Sequence, residues 1–117
     1  MTLPRMLKDP SPTREKPVRS PAHRAWVRRH GCCVPCCNGT PIEAAHVRDG
    51  LPYGAERGGT GSKPGDMWVI SLCKTHHATQ THYGETWFQK EYGIDMKALA
   101  QEFAAKSPHR MKLRRQG

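Results

Sequence analysis

Cys32-Cys33-Val34-Pro35-Cys36-Cys37 at one end and Leu72-Cys73-Lys74-Thr75-His76-His77 at the other bracket the stretch on which this chain is built. Between them a lone histidine closes an apolar run, Ile42-Glu43-Ala44-Ala45-His46-Val47, and His82 follows the second cluster. Thiolate and imidazole are ligands that zinc favours, and a structural zinc takes four of them in a tetrahedron. Two close-set ligands at each end of a loop are a common way to assemble that set. Cys73-x-x-His76 supplies one half. Cys33 with Cys36, or Cys33 with Cys37, supplies the other, and Cys32 is the hardest of the cluster to place. His46, His77 and His82 are then left for chemistry. His76 and His77 are consecutive on an expected helix, so their side chains diverge by about 100°. His76 can face the cysteines while His77 faces the strand that carries His46. A metal-bound imidazole beside a free one suits phosphodiester hydrolysis. The ion stabilises charge on the phosphate and the leaving oxygen, and the free imidazole takes a proton from water.

The rest of the composition bounds that reading. The 117 residues make one small domain, 36% hydrophobic, with ten prolines and eleven glycines. A chain this short buries a limited core and commonly needs a staple. No run approaches the roughly 20 apolar residues of a membrane span, and no apolar leader opens the sequence. The expected compartment is therefore the reducing cytoplasm, where clustered cysteines, five in number, read as metal ligands and not as disulfides. The net charge is +9 and sits at the ends. Residues 1–31 carry eight Lys/Arg against two acids, residues 106–117 carry five against none, and residues 32–105 carry six against eight. Basic arms on a near-neutral body suit a polyanion, most simply nucleic acid, with no membrane role.

Taken in order, residues 1–20 read as a basic, proline-rich disordered arm. Ser20-Pro21 is a helix start, a capping hydroxyl before a proline at the first helical position. That helix runs to about His30. Thr40–Val47 reads as a strand, Asp49–Asp66 as a long loop with six glycines, and Met67–Leu72 as a second strand. A helix from Lys74 to about Tyr83 stops at Gly84. A second, Glu85–Tyr92, carries Trp87, Phe88 and Tyr92 on one side and stops at Gly93. Asp95 caps a third helix, to about Lys106, in which Met96, Leu99, Ala100 and Phe103 recur at three- and four-residue steps. The domain is expected over 21–106, with a frayed basic tail over 107–117.

Pro41-Ile42-Glu43-Ala44-Ala45-His46-Val47-Arg48, the Gly58-Gly59-Thr60-Gly61 loop through Asp66, and Leu72-Cys73-Lys74-Thr75-His76-His77 together resemble the HNH nuclease family, with its ββα-metal (His-Me finger) fold. The fuller run resembles a phage and prophage branch that includes the RecA-dependent Ref-type nucleases. The resemblance covers roughly residues 21–106. It implies a small α+β, zinc-stapled core with flanking helices and a metal-dependent DNA endonuclease of low or structure-directed specificity. It makes His46 the general base and His77 a ligand of a catalytic divalent ion such as Mg²⁺ or Mn²⁺. Cys73 and His76 become half of the structural Zn²⁺ site, and the branch's three-residue spacer favours Cys33 with Cys37 for the other half. Its partners would be DNA and a recombinase. The sequence departs from the family at Ala45, where many relatives carry a metal ligand, and at Trp68, where the central Asn is expected. Asp66 is then the candidate to replace that Asn, orienting the loop or touching the ion. His82 stands one place beyond a further expected ligand, at Thr81. Arg48, Arg57 and Lys63 are candidate phosphate contacts. The rival reading is a non-catalytic zinc module that binds nucleic acid.

Overall fold

A computed structural model describes residues 18–51 and 64–114. Ser20 starts the first helix, α1 (Pro21–Val27): its side chain accepts from the His23 amide at 3.2 Å, and Pro21 takes the position where a missing N–H costs nothing. Two strands follow, β1 (Ile42–His46) and β2 (Val69–Cys73), as one antiparallel pair in which Ile42 faces Cys73 and His46 faces Val69. Three helices come next: α2 (Lys74–Tyr83), α3 (Glu85–Tyr92) and α4 (Met96–Lys106). Gly84 and Gly93 end the first two with φ of 94° and 66°, conformations that a side chain resists. The Asp95 side chain accepts from the Ala98 amide at 3.0 Å and caps the third.

The hairpin is covered on both faces. Ala45, Val47, Trp68, Ile70 and Leu72 form one side of the main core, closed by Phe88 of α3 and by Met96 and Ala100 of α4. Every residue of β2 is buried, so this strand runs through the middle of the domain. Its apolar run, without a strict alternation, is what a strand covered on both faces requires. None of the described helices is long and apolar enough to cross a membrane.

Two expectations about the ends change. Val18–Ser20, read as the last part of the arm, are tied into the fold: the Val18 carbonyl accepts from the Asp66 amide, and Arg19 donates to the Pro64 carbonyl. The tail is not frayed at its start. Ser107 is fully buried, a short helix α5 (Arg110–Arg114) follows, and Leu113 is buried with it. One leucine in a basic segment, returning to the core, was too sparse a pattern to read as a helix. The remainder of the arm (1–17), most of the glycine loop (52–63) with Arg57 and Lys63, and residues 115–117 lie outside the described residues.

Candidate metal centre and histidine pairs

The first cysteines lie in the connection between α1 and β1, where the Cys37 amide donates to the Val34 carbonyl and closes a tight turn. Cys36 takes the left-handed position of that turn, φ 64°, and is exposed. The turn brings Cys32 and Cys37 to Cys73, the last residue of β2, and to His76 in the first turn of α2. All four ligand atoms lie within 4.8 Å of one another. His76 Nδ1 stands 3.6 Å from Cys32 Sγ, 3.4 Å from Cys37 Sγ and 3.3 Å from Cys73 Sγ, and the Cys37 and Cys73 sulfurs are 3.9 Å apart. A zinc tetrahedron with Zn–S near 2.3 Å and Zn–N near 2.0–2.1 Å has S···N edges of about 3.6 Å and S···S edges of about 3.8 Å. The donor set therefore fits a structural metal ion such as zinc.

Cys33 does not belong to this cluster, and the expected Cys33–Cys37 pair is corrected to Cys32–Cys37. The Cys33 amide donates to the Ser71 carbonyl at 2.9 Å, and its sulfur lies against the Ser71 hydroxyl at 3.5 Å. That pairing fixes Cys33 on β2, and the adjacent Cys32 points to the cluster instead. Burial pushes the Cys33 thiol up from its ordinary value, which suits a neutral packing role. Burial also raises Cys32, to about 11, whereas the Gly39 amide lowers Cys37. Cys36, the alternative to Cys37, stays outside. Gly39 is needed here for space: a Cβ on it would sit 3.0 Å from Cys73 Sγ and 3.4 Å from Cys37 Sγ.

The remaining histidines do not gather at one point. His46 lies at the end of β1, with its Nε2 2.9 Å from Asp66 Oδ1. Asp66 is fully buried and also accepts from the Ser20 amide at 2.7 Å, Arg24 Nε at 2.8 Å and Arg19 at 3.3 Å. Burial alone would raise its pKa. The bonds from His46, the Ser20 amide and Arg24, with the Arg24 charge, hold it well below the usual carboxylate range. An ionised carboxylate only accepts, so His46 carries its proton on Nε2. His46 Nδ1 makes no hydrogen bond among the described residues. Asp66 is thus an internal anchor, enclosed by its four donors and not free to touch an ion.

His77 is held elsewhere. Its Nδ1 donates to Glu43 Oε1 at 2.7 Å, with both side chains partly exposed. Glu43 and His46 are three residues apart on β1, so they project from opposite faces of the strand. Glu43 was not singled out by the sequence. Its clue was strand parity: it shares a face with Ala45, beside the helix that carries His77. His82 is exposed and edge-on to Tyr83, with ring centroids 4.6 Å apart, and joins no ligand cluster among the described residues. The Arg48 side chain is exposed at the end of β1, while the Arg48 and Asp49 amides both donate to the Glu85 carboxylate. Trp68 is buried in the main core, so it takes no polar role.

The family described as "Protein of unknown function (DUF968)" matches residues 6–107. The chain belongs to the DUF968 family. It is also similar to "Uncharacterized protein YdfU" of Escherichia coli (strain K12), 31% identical over 87 residues. Those residues cover 70% of this chain and 24% of that protein, so this DUF968 chain spans about a quarter of the relative it matches. No solved structure matches. The match includes both halves of the metal cluster, His46, Asp66 and His77.

Proposed function

We propose that this DUF968 domain is a zinc-stapled endonuclease of the ββα-metal kind, hydrolysing DNA phosphodiester bonds. The observation that carries the proposal is the His46–Asp66 pair. A buried, ionised carboxylate fixes the imidazole in one tautomer and one orientation, and leaves Nδ1 as a lone-pair base at the end of the strand. A general base needs just that: an oriented ring, a defined tautomer and a partner that steadies the charge it acquires. In this reading His46 takes the proton of the attacking water. Asp66 stabilises the imidazolium so formed, and the basic ends hold the DNA backbone. The consecutive order β1, β2, α2, with the metal cluster at the strand–helix junction, supports the same reading.

A divalent ion such as Mg²⁺ or Mn²⁺ would supply charge stabilisation to the phosphate and the departing oxygen. Glu43 and His77 are a paired carboxylate and imidazole able to hold such an ion, but they lie on the face of β1 opposite His46, so an ion acting with His46 would be held chiefly through water and the substrate phosphate. Such ions are often bound by one or two carboxylates with water and substrate phosphate completing the shell. A protein recruiter such as a recombinase belongs to this proposal as a partner. The second reading, a non-catalytic zinc module that binds nucleic acid, draws on one observation: beyond the Cys₃His cluster, no group of three metal-ligating side chains assembles among the described residues.

A plasmid-nicking assay separates the two. Wild type and His46→Ala are compared with added Mg²⁺ or Mn²⁺ and with chelator, with zinc content and melting followed alongside. Metal-dependent nicking by the wild type and none by His46→Ala is expected. Intact zinc and salt-sensitive DNA binding without nicking under any ion would favour the binding module. Nicking that survives His46→Ala would remove His46 from the base role.

A further inference from the structure

The junction of α2 and α3 carries a partly exposed aromatic pair. Tyr83 is 57% exposed and Trp87 is 39% exposed, although each could bury a large apolar surface. Their rings lie 4.5 Å apart at 29°, a stacked arrangement. His82 meets Tyr83 edge-on, and Tyr92 meets Trp87 edge-on at 6.3 Å, bracing the pair from the sides. Gly84 makes this possible. Its positive φ ends α2 and starts α3 at once, which sets Tyr83 and Trp87 four residues apart across a helix break.

We propose that Tyr83 and Trp87 form a stacking platform for unpaired bases of single-stranded nucleic acid. This rests on the reading of the domain as one that acts on DNA, and it names the form of strand engaged. Three observations select this occupant. The rings are pre-stacked and partly open, and every base has a π-face that such a ring accepts without regard to sequence. The protein carries a net charge of +9, which draws polyanions and repels basic surfaces. On α3 the charged residues are Glu85, Lys90 and Glu91, two acids and one base, so the helix that carries Trp87 offers no basic patch. Local affinity must therefore come from stacking, with the long-range attraction supplied by the basic ends. Charge and stacking then come from different parts of the sequence, and that division can be measured.

The experiment titrates a labelled oligothymidylate, and separately a duplex of equal length, with full-length zinc-loaded protein over a range of salt concentrations. Wild type, Tyr83→Ala, Trp87→Ala and the conservative Tyr83→Phe and Trp87→Phe are compared, with zinc content and melting as folding controls. Each alanine variant should lose about fivefold to a hundredfold in single-strand affinity. The slope of log K against log salt should stay at its wild-type value, because no phosphate contact is removed. Phenylalanine variants should retain most of the affinity, and duplex binding should not move. Trp87 fluorescence should be quenched by the oligothymidylate, and that quenching should vanish in Trp87→Phe. Wild-type affinity in folded alanine variants overturns the platform, as does an equal loss on duplex. So do a failure of the wild type to bind oligothymidylate and a change from oligomer to monomer in the alanine variants. His46→Ala in the same titration keeps the two proposals apart. Binding retained without nicking concerns the nuclease alone, and nicking retained with binding indifferent to Tyr83 and Trp87 concerns the platform alone.

Discussion

His23 gives the most quantitative test of this structure. It is fully buried on α1, with its Nδ1 2.8 Å from the Ser107 hydroxyl, while its Nε2 has no hydrogen-bond partner among the described residues. Burial lowers its pKa from 6.5 to about 4, against the attraction of Asp66 and with a small further push from His109. The unfolded chain therefore takes a proton near pH 6.5 that the folded chain refuses until about pH 4. Stability is fully present above the higher value and is lost as the pH falls between the two. Integrating one proton between pH 7 and pH 5 gives a loss of about 2 kcal/mol. For a domain whose whole stability is of order 5–15 kcal/mol, that is a large share. Acid also loosens thiolates from zinc, so the wild type alone is an ambiguous witness. The comparison is with His23→Asn, whose side chain can keep the Ser107 bond but cannot take the proton. Urea unfolding of both proteins at each pH, with zinc in excess, cancels the shared titrations. The variant is less stable at neutral pH because ring packing on Trp26 is lost. The gap between the two should then shrink by about 2 kcal/mol on going to pH 5. Parallel loss of stability in both proteins would refute the reasoning and remove His23 from the acid response.

Two further outcomes follow from the site. Cys32→Ser should abolish stoichiometric zinc binding while Cys33→Ser retains it, as read by metal content after gel filtration; the reverse pattern would restore the Cys33–Cys37 pairing. Asp66→Ala should cost about 3–5 kcal/mol in urea unfolding, since it leaves the Ser20 amide, Arg24 and His46 without their shared buried acceptor; a loss under about 1 kcal/mol would mean that water replaces the carboxylate freely.

The elements whose signals are local were legible in the sequence. Gly84, Gly93 and Asp95 delimit three helices by backbone rules that act within a turn, and the observed bounds fall where those rules put them. The metal cluster was legible as a kind of site, because residue type and the Cys73–His76 spacing are also local. Its remaining members were not. Cys32 and Cys33 differ only by which one pairs with Ser71, and that bond spans 38 positions. The role of Asp66 was hidden for the same reason, since its partners Ser20, Arg24 and His46 come from two distant segments. Glu43 was passed over because its meaning depends on which face of β1 meets α2.

The two polar centres clamp opposite ends of one hairpin, and this bears on what controls His46. Near the Ile42–Cys73 end, the cysteine turn is held to β2 by the cluster and by the Cys33–Ser71 bond, with the Ser71 hydroxyl donating to the Gly31 carbonyl at 2.6 Å. Near the His46–Val69 end, Asp66 joins β1 to the N-terminal cap of α1. Helix α1 is therefore strapped across the hairpin at both ends; the cysteine turn joins the main apolar core through Val34, whereas Asp66 stands outside it. The orientation of the His46 ring then depends on an N-terminal segment, Arg19–Arg24, that carries no chemistry of its own. A substitution at Ser20 or Arg24 acts on the histidine through Asp66, by changing how firmly the carboxylate is held. Those donors offset the cost of burying the Asp66 carboxylate, so the hydrogen bond between Asp66 and His46 depends on α1 being folded against the hairpin.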